Sequence, residues 1–89
     1  MKIVYTKAVT KDVSKLKDQK VIAKIETVLN AIKAASSLQE LPALKKMSGH
    51  PTAYRIRIGN YRLGLYYENE AVVLVRFLKR NDIYKVFPS

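Results

Sequence analysis

Residues 54–78 read YRIRIGNYRLGLYYENEAVVLVRFL, and their pattern sets the architecture expected for the whole chain. The stretch divides into three runs rich in β-branched and aromatic residues, at 54–58, 61–67 and 71–78. Gly59-Asn60 separates the first two runs, and Glu68-Asn69-Glu70 separates the last two. Such runs, bounded by glycine and asparagine, are typical of strands joined by tight turns. We therefore predict a three-stranded antiparallel meander.

One strand and two helices are predicted upstream of the meander. Lys2–Tyr5 is short, β-branched and aromatic, which indicates a strand. Thr6 and Asp18 are suitable N-caps, and the apolar residues after each of them recur at helical spacing. The sequence therefore predicts helices over about 7–17 and 19–35, with the lysines of the second helix left for solvent.

The predicted fold class is α+β, in one small domain that spans residues 1–89. An antiparallel sheet, formed by the N-terminal strand and the three-strand C-terminal meander, is expected to pack on the N-terminal helical hairpin. Segment 36–53 contains serines, prolines and a glycine, so we interpret it as a connection anchored by Leu41 and Leu44. Residues 82–84 are expected to make one helical turn.

Composition narrows the class of partner and of chemistry. The chain has 17 basic and 7 acidic residues and a formal net charge of +10, which predicts a polyanionic or strongly acidic partner. It has no cysteine and a single histidine, so neither a metal site nor a cofactor is expected. No segment resembles a signal peptide or a membrane span, and the expected location is the cytoplasm.

The arginines are expected to gather on one face of the meander. A two-residue turn at Gly59-Asn60 places Arg57 directly across from Arg62, although like charges in that arrangement cost up to about 1 kcal/mol. A three-residue loop at 68–70 would add Arg76 opposite Arg62 and leave Gly64 open for the close approach of a ligand backbone. A solvated sheet face is the alternative interpretation, but the repulsion favours a bound anion.

Phosphate is the ligand that suits this surface best. Arginine binds phosphate with two parallel hydrogen bonds, and all five arginines of the chain lie in its second half. Tyrosines lie between them in the sequence and offer rings on which exposed bases stack. The pattern therefore predicts binding of single-stranded or looped nucleic acid.

The ordered set of residues in this half resembles the RelE/ParE superfamily of bacterial toxins, and specifically RelE-like toxins of type II toxin–antitoxin systems. The resemblance covers the whole chain and rests on Gly49, Tyr54-Arg55-Ile56-Arg57, Gly59, Tyr61-Arg62-Leu63, Tyr66 and Lys79-Arg80-Asn81-Asp82-Ile83-Tyr84. It implies a ribosome-dependent endoribonuclease that cuts messenger RNA in the ribosomal A site without a metal ion. It also implies a cognate antitoxin protein as partner and no association with membranes.

The resemblance implies site residues as well. The catalytic set carried over by position is Arg55, Arg57, Arg62, Arg80 and Tyr84. The predicted RNA-binding set is Lys45, Lys46, Arg76 and Lys79. Relatives often have lysine at the first two catalytic positions, and arginine is a poor base, so those two are assigned to phosphate binding. The general base stays open between Tyr84, Lys46 and Lys79, with His50 as a further acid–base candidate.

Two other functions are compatible with the same residues. A ParE-like toxin shares the fold but inhibits DNA gyrase, and a non-catalytic RNA-binding module would account for the charge alone. The sequence also predicts that Arg62→Ala folds normally and loses growth inhibition, since it removes one charge from a repelling cluster.

Overall fold

The computed structural model describes residues 1–88 as a five-stranded sheet with helices on both faces. In chain order the elements are β1 Lys2–Tyr5, α1 Lys7–Ser14, α2 Gln19–Ala34, a short 3₁₀ helix Leu38–Glu40, β2 Leu44–Lys46, β3 Ala53–Ile58, β4 Tyr61–Glu68, β5 Ala71–Lys79 and α3 Arg80–Val86. The predicted α+β class is confirmed. Within the described range, no helix is both long enough and apolar enough to span a membrane.

Both predicted helix caps are confirmed. The Thr6 hydroxyl accepts a hydrogen bond from the Val9 N–H, and the Asp18 carboxylate accepts one from the Lys20 N–H. Each satisfies a backbone donor that the first turn of a helix leaves unpaired. The first helix is shorter than expected, since α1 ends at Ser14.

The sheet differs from the predicted one at both edges. Its strand order is β1-β5-β4-β3-β2, and β1 runs parallel to β5, so only the pairs among β2, β3, β4 and β5 are antiparallel. Residue alternation defines the faces of a strand but carries no information about its direction, which explains the error for β1. The segment 36–53, interpreted as a connection, contributes the edge strand β2, in which Leu44 packs on the core.

The turn between β4 and β5 also differs from the prediction. The three-residue loop is wrong: Glu68 pairs with Ala71, and the two-residue turn Asn69-Glu70 has positive φ at both positions. A β-bulge then leaves Val75 unpaired, because Leu65 pairs with Leu74 and Gly64 pairs with Arg76. The register therefore places Arg62 opposite Leu78 instead of Arg76.

Two apolar clusters hold the layers together, one on each face of the sheet. The larger lies under α1 and α2 and includes Ile25, Leu63 and Phe77. The smaller lies under α3 and contains Ile83 and Phe87. The bulge puts Val75 in this second cluster, whereas strict alternation with Phe77 along β5 would place it on the helical-hairpin face.

Candidate nucleic-acid interface

Three arginines and one lysine line a cleft on the α3 face of the sheet, which we call the arginine cleft. Its volume is about 250 Å³, and its lining residues are Ala43, Leu44, Lys45, Arg55, Arg57 and Arg62. They come from three neighbouring strands and the residue before β2. The structure thus brings together three of the five predicted catalytic residues.

Strand register places these charges side by side. The turn at Gly59-Asn60 has two residues as predicted, and Arg57 pairs directly with Arg62 across β3 and β4. Lys45 pairs with Arg55 across β2 and β3. Paired residues in an antiparallel sheet project to the same face with Cβ atoms about 5 Å apart, so four cations share one small surface.

Arg62 is the buried member of the cluster. Only 8% of its surface is exposed, and its Nη1 donates to the Gly59 carbonyl at 3.0 Å and to the Tyr61 carbonyl at 2.9 Å. Its Nε is buried and, within residues 1–88, lacks a hydrogen-bond partner. A buried donor without a partner is uncommon and costs about 1–3 kcal/mol. The guanidinium is therefore held rigidly with part of its donor capacity unused.

No carboxylate neutralises the arginine cleft among the residues that the structure describes. The ion pairs in that range are Arg76 with Asp12 and Lys85 with Asp82. None of Arg55, Arg57 and Arg62 takes part in them. The repulsion predicted from the sequence therefore persists in the folded protein, and the cluster can bind an anion without first breaking an internal ion pair.

Arg76 is engaged elsewhere. Its Nε and Nη2 donate to the Asp12 carboxylate at 2.8 and 3.1 Å, and the Phe77 N–H donates to the same carboxylate at 3.0 Å. The hydrogen bond to Asp12 raises the pKa of the Arg76 guanidinium above its ordinary value. Arg76 was expected beside Arg62 as an RNA contact. It stays charged, but an internal carboxylate compensates that charge.

Gly64 is covered by the protein itself. A Cβ atom placed on Gly64 would lie 2.8 Å from Cδ2 of Phe87, which is too close for an ordinary contact. The Phe87 ring also packs edge-on against Tyr66, with ring centroids 5.4 Å apart. The expectation that a ligand backbone approaches Gly64 is therefore wrong, because α3 and the residue after it lie across this part of the sheet.

Arg80 and Tyr84 both lie on α3. The Arg80 N–H donates to the Asn60 carbonyl at 2.9 Å, which fixes the start of the helix beside the turn that carries Arg62. Tyr84 lies four residues later, on the same side of the helix as Arg80, and is 48% exposed. Because Arg62 also bonds to the Gly59 carbonyl, one turn connects the buried arginine and the start of α3.

The other predicted residues are dispersed. Lys45 and Lys46 project to opposite faces of β2, so Lys46 lies away from the arginine cleft. Lys79 pairs with Tyr61 at the end of β5 and lines a separate cleft with Arg80. His50 is exposed in the loop before β3 and is absent from the lining of the cleft. Within residues 1–88 no group of at least three His, Cys, Asp or Glu side chains is placed to bind a metal.

Three structural determinants of this surface were not found from the sequence. They are Asp12, which compensates Arg76; Phe87, which covers Gly64; and Lys24, which reaches the turn after β3. Asp12 lies 64 residues from Arg76, and no local pattern connects them. For Phe87 a signal was present, since a phenylalanine ring has no polar group and is stabilised when an apolar surface covers it.

Comparisons with known proteins agree on one family. Residues 3–84 match the model of the ParE toxin of type II toxin–antitoxin systems. Toxin RelE3 of Methanocaldococcus jannaschii is 32% identical over 89 residues, which is 99% of this chain and 100% of that protein. The sequence match extends along the whole chain and includes the strands that line the arginine cleft.

Solved structures have the same fold. The RelB-RelE antitoxin-toxin complex from Methanococcus jannaschii matches with a TM-score of 0.80 and 28% identity, over 96% of this chain and 99% of that one. The RelBE2 toxin-antitoxin complex from Mycobacterium tuberculosis matches with a TM-score of 0.69 and 21% identity, over 89% and 96% of the two chains. The second likeness is of fold only.

Proposed function

Since this chain belongs to the RelE/ParE superfamily of type II toxins, we propose that it is a RelE-like, ribosome-dependent endoribonuclease that inhibits translation by cutting messenger RNA in the A site. The observation that carries the proposal is the arginine cleft, in which Arg55, Arg57 and Arg62 lie together without a carboxylate partner within residues 1–88. Such a cluster suits a phosphate that gains negative charge during reaction. The proposed place of action is the cytoplasm, where ribosomes translate.

The proposed reaction is an internal transfer at one phosphate of the RNA. The ribose 2′-oxygen loses its proton and bonds to the adjacent phosphorus, and the bond from phosphorus to the next 5′-oxygen breaks. That oxygen takes up a proton, which leaves a 2′,3′-cyclic phosphate and a 5′-hydroxyl. The protein must supply a base, cations for the charged transition state and an acid.

The cationic roles are assigned by burial. Arg55 and Arg57 are more accessible than Arg62, and they bind the oxygens of the incoming phosphate. Arg62 is fixed by two backbone carbonyls in the lining of the cleft, so its positive charge is held in place and does not need to reorganise when negative charge develops on the phosphate. Arg80, at the start of α3, supplies a further cation from the other side of the turn.

Among the candidates for proton transfer, Tyr84 has the most suitable position. Tyr84 lies on α3, which packs on the same face of the sheet as the arginine cleft, whereas Lys46 projects to the opposite face and Lys79 pairs with Tyr61. Tyr84→Phe removes only the hydroxyl of an exposed side chain and is expected to slow cleavage with little change in RNA binding. Full cleavage activity in Tyr84→Phe would assign the proton to another group.

A cognate antitoxin is the proposed protein partner. The relative of known structure from Methanococcus jannaschii is a RelB-RelE antitoxin-toxin complex. For this chain, a net charge of +10 favours an acidic partner segment that lies over the arginine cleft or displaces α3. Phe87, which follows α3 and covers Gly64, would then determine how readily the site changes shape.

Gyrase inhibition is the second candidate, because the matching family model is that of ParE. The two functions separate in one pair of assays. Purified protein is added to a reconstituted translation reaction, in which cut sites and end groups are mapped, and to a gyrase supercoiling reaction. We expect cuts within translated codons that carry 2′,3′-cyclic phosphate ends, and unchanged supercoiling. Inhibited supercoiling with intact messenger RNA would overturn the proposal, and tight RNA binding without any cleavage would leave a non-catalytic module.

A further inference from the structure

A second cleft adjoins the arginine cleft on the other side of β3. It has a volume of about 310 Å³ and is lined by Lys24, Thr27, Val28, Arg57, Ile58 and Gly59. Arg57 lines both clefts, so the two surfaces are continuous at that side chain. One of them lies on the α3 face and the other between α2 and the end of β3.

Lys24 brings a positive charge to this second cleft. A Cβ atom on Gly59 would lie only 3.6 Å from Lys24 Nζ, so the ammonium group lies over the turn whose carbonyl binds Arg62. Lys24 is exposed and takes part in neither ion pair of residues 1–88. The single acidic residue of α2, Glu26, lies two positions away and projects from a different side of the helix.

This arrangement forms a basic path around the edge of the turn. The path runs from Lys45 and Arg55 through Arg57 to Lys24. A single phosphate would occupy only the arginine cleft, whereas a nucleic acid, with a phosphate at every nucleotide, would place a second negative charge farther along the path. A lysine ammonium is a compact charge that suits such a backbone contact, because it needs no fixed geometry.

We propose that Lys24 binds the phosphate next to the one held in the arginine cleft, and that the ligand following this path is a single-stranded RNA backbone. The inference rests on the proposed function, because it extends the RNA site by one position. It assigns to α2 a direct role in substrate binding. Lys24 is a binding residue only and takes no part in the transfer of protons.

The test compares Lys24→Gln with Lys33→Gln. Both variants remove one exposed lysine from α2, but Lys33 lies at the far end of the helix and lines neither cleft. The probes are a fluorescent octanucleotide and a dinucleotide, each with 2′-O-methyl riboses, which cannot be cleaved. Binding is followed by fluorescence anisotropy over a series of salt concentrations.

Lys24→Gln is expected to weaken octanucleotide binding about three- to fivefold and to lower the slope of log affinity against log salt by about 0.7. The dinucleotide, with one phosphate, should bind the variant and the parent protein equally. Lys33→Gln should match the parent with both probes. Equal effects of the two substitutions on the octanucleotide would overturn the proposal.

Two further outcomes keep this proposal separate from the proposed function. An equal loss of affinity for an acidic peptide of the same charge would show a general anion surface and overturn the assignment to RNA. Because the probes cannot be cut, the binding measurement does not depend on cleavage. If the parent protein leaves messenger RNA intact in the translation reaction, the nuclease is rejected while the binding result stands. Conversely, if cleavage is lost in Arg55→Ala but Lys24→Gln binds the octanucleotide as tightly as the parent protein, only the present inference is rejected.

Discussion

At the scale of single residues, the burial of Arg62 changes the effect on stability that is expected when it is replaced. Its charge is repelled by Arg57, but its guanidinium is buried and donates to two carbonyls of the adjacent turn. Arg62→Ala is therefore expected to lower the free energy of unfolding by about 1–3 kcal/mol, in contrast to the neutral effect predicted from charge alone. Denaturant titration measures the difference.

Arg55→Ala separates stability from function at the same site. The Arg55 side chain is half-buried and makes no hydrogen bond or ion pair within residues 1–88, so its loss should change the free energy of unfolding by less than about 1 kcal/mol. Both variants should lose growth inhibition in a bacterial host at matched soluble expression. Undiminished inhibition by Arg55→Ala would remove the arginine cleft from the mechanism.

At the scale of secondary-structure elements, the contact between Gly64 and Phe87 holds the C-terminal segment against β4. Gly64→Ala puts a methyl group 2.8 Å from the Phe87 ring and should cost about 1–3 kcal/mol of unfolding free energy. The double variant with Phe87→Leu should be destabilised by less than the sum of the single changes, because the smaller side chain makes room. Strict additivity in this cycle would show that the two residues do not contact each other in solution.

The ion pair between Asp12 and Arg76 joins α1 to the bulged part of β5. Asp12→Ala leaves the guanidinium and the Phe77 N–H without their acceptor and should lower the free energy of unfolding by about 2–3 kcal/mol. Asp82→Ala, which breaks the exposed pair with Lys85, should cost only about 0.5 kcal/mol. A similar small effect of both changes would contradict a structural role for the partly buried pair of Asp12 and Arg76.

The pH dependence of this pair follows from the raised pKa of Arg76. A cation whose pKa is higher in the folded protein contributes stability below its unfolded pKa and loses it as the pH rises through the folded value. For arginine that window lies in strongly alkaline solution. Between neutral and mildly alkaline pH, the titration of Arg76 should therefore leave the difference between the parent protein and Asp12→Ala unchanged.

At the scale of the whole molecule, the proposed nuclease depends on its target to complete the site. The positioned groups are cations, and none of the three base candidates lines the arginine cleft. We expect naked messenger RNA to be cut far more slowly than the same message on ribosomes, because the ribosome would hold the 2′-hydroxyl in line with the leaving oxygen. Equal cleavage rates with and without ribosomes would reject this dependence.

Local sequence patterns determined the first hairpin and the main helices and strands, but not the 3₁₀ helix and the edge strand β2. The two caps, Thr6 and Asp18, act on backbone groups two or three residues away, and Gly59-Asn60 fixes the pairing of Arg57 with Arg62 through a turn of two residues. Interactions over such short separations are encoded in neighbouring residues, so they can be read without knowledge of the rest of the chain.

The second hairpin, between β4 and β5, could not be predicted from local patterns. The prediction of a three-residue loop at 68–70 assumes unbroken alternation along both strands. The β-bulge at Val75 matches the faces with a two-residue turn instead, and it leaves no signature of its own in the sequence. The tertiary structure decided four further features. They are the direction of β1, the ion pair of Arg76 with Asp12, the packing of Phe87 over Gly64 and the position of Lys24 at the turn after β3. The physical reason is the same for all of them. Each depends on contacts between residues far apart in the sequence, and these contacts form only when the helices pack on the sheet.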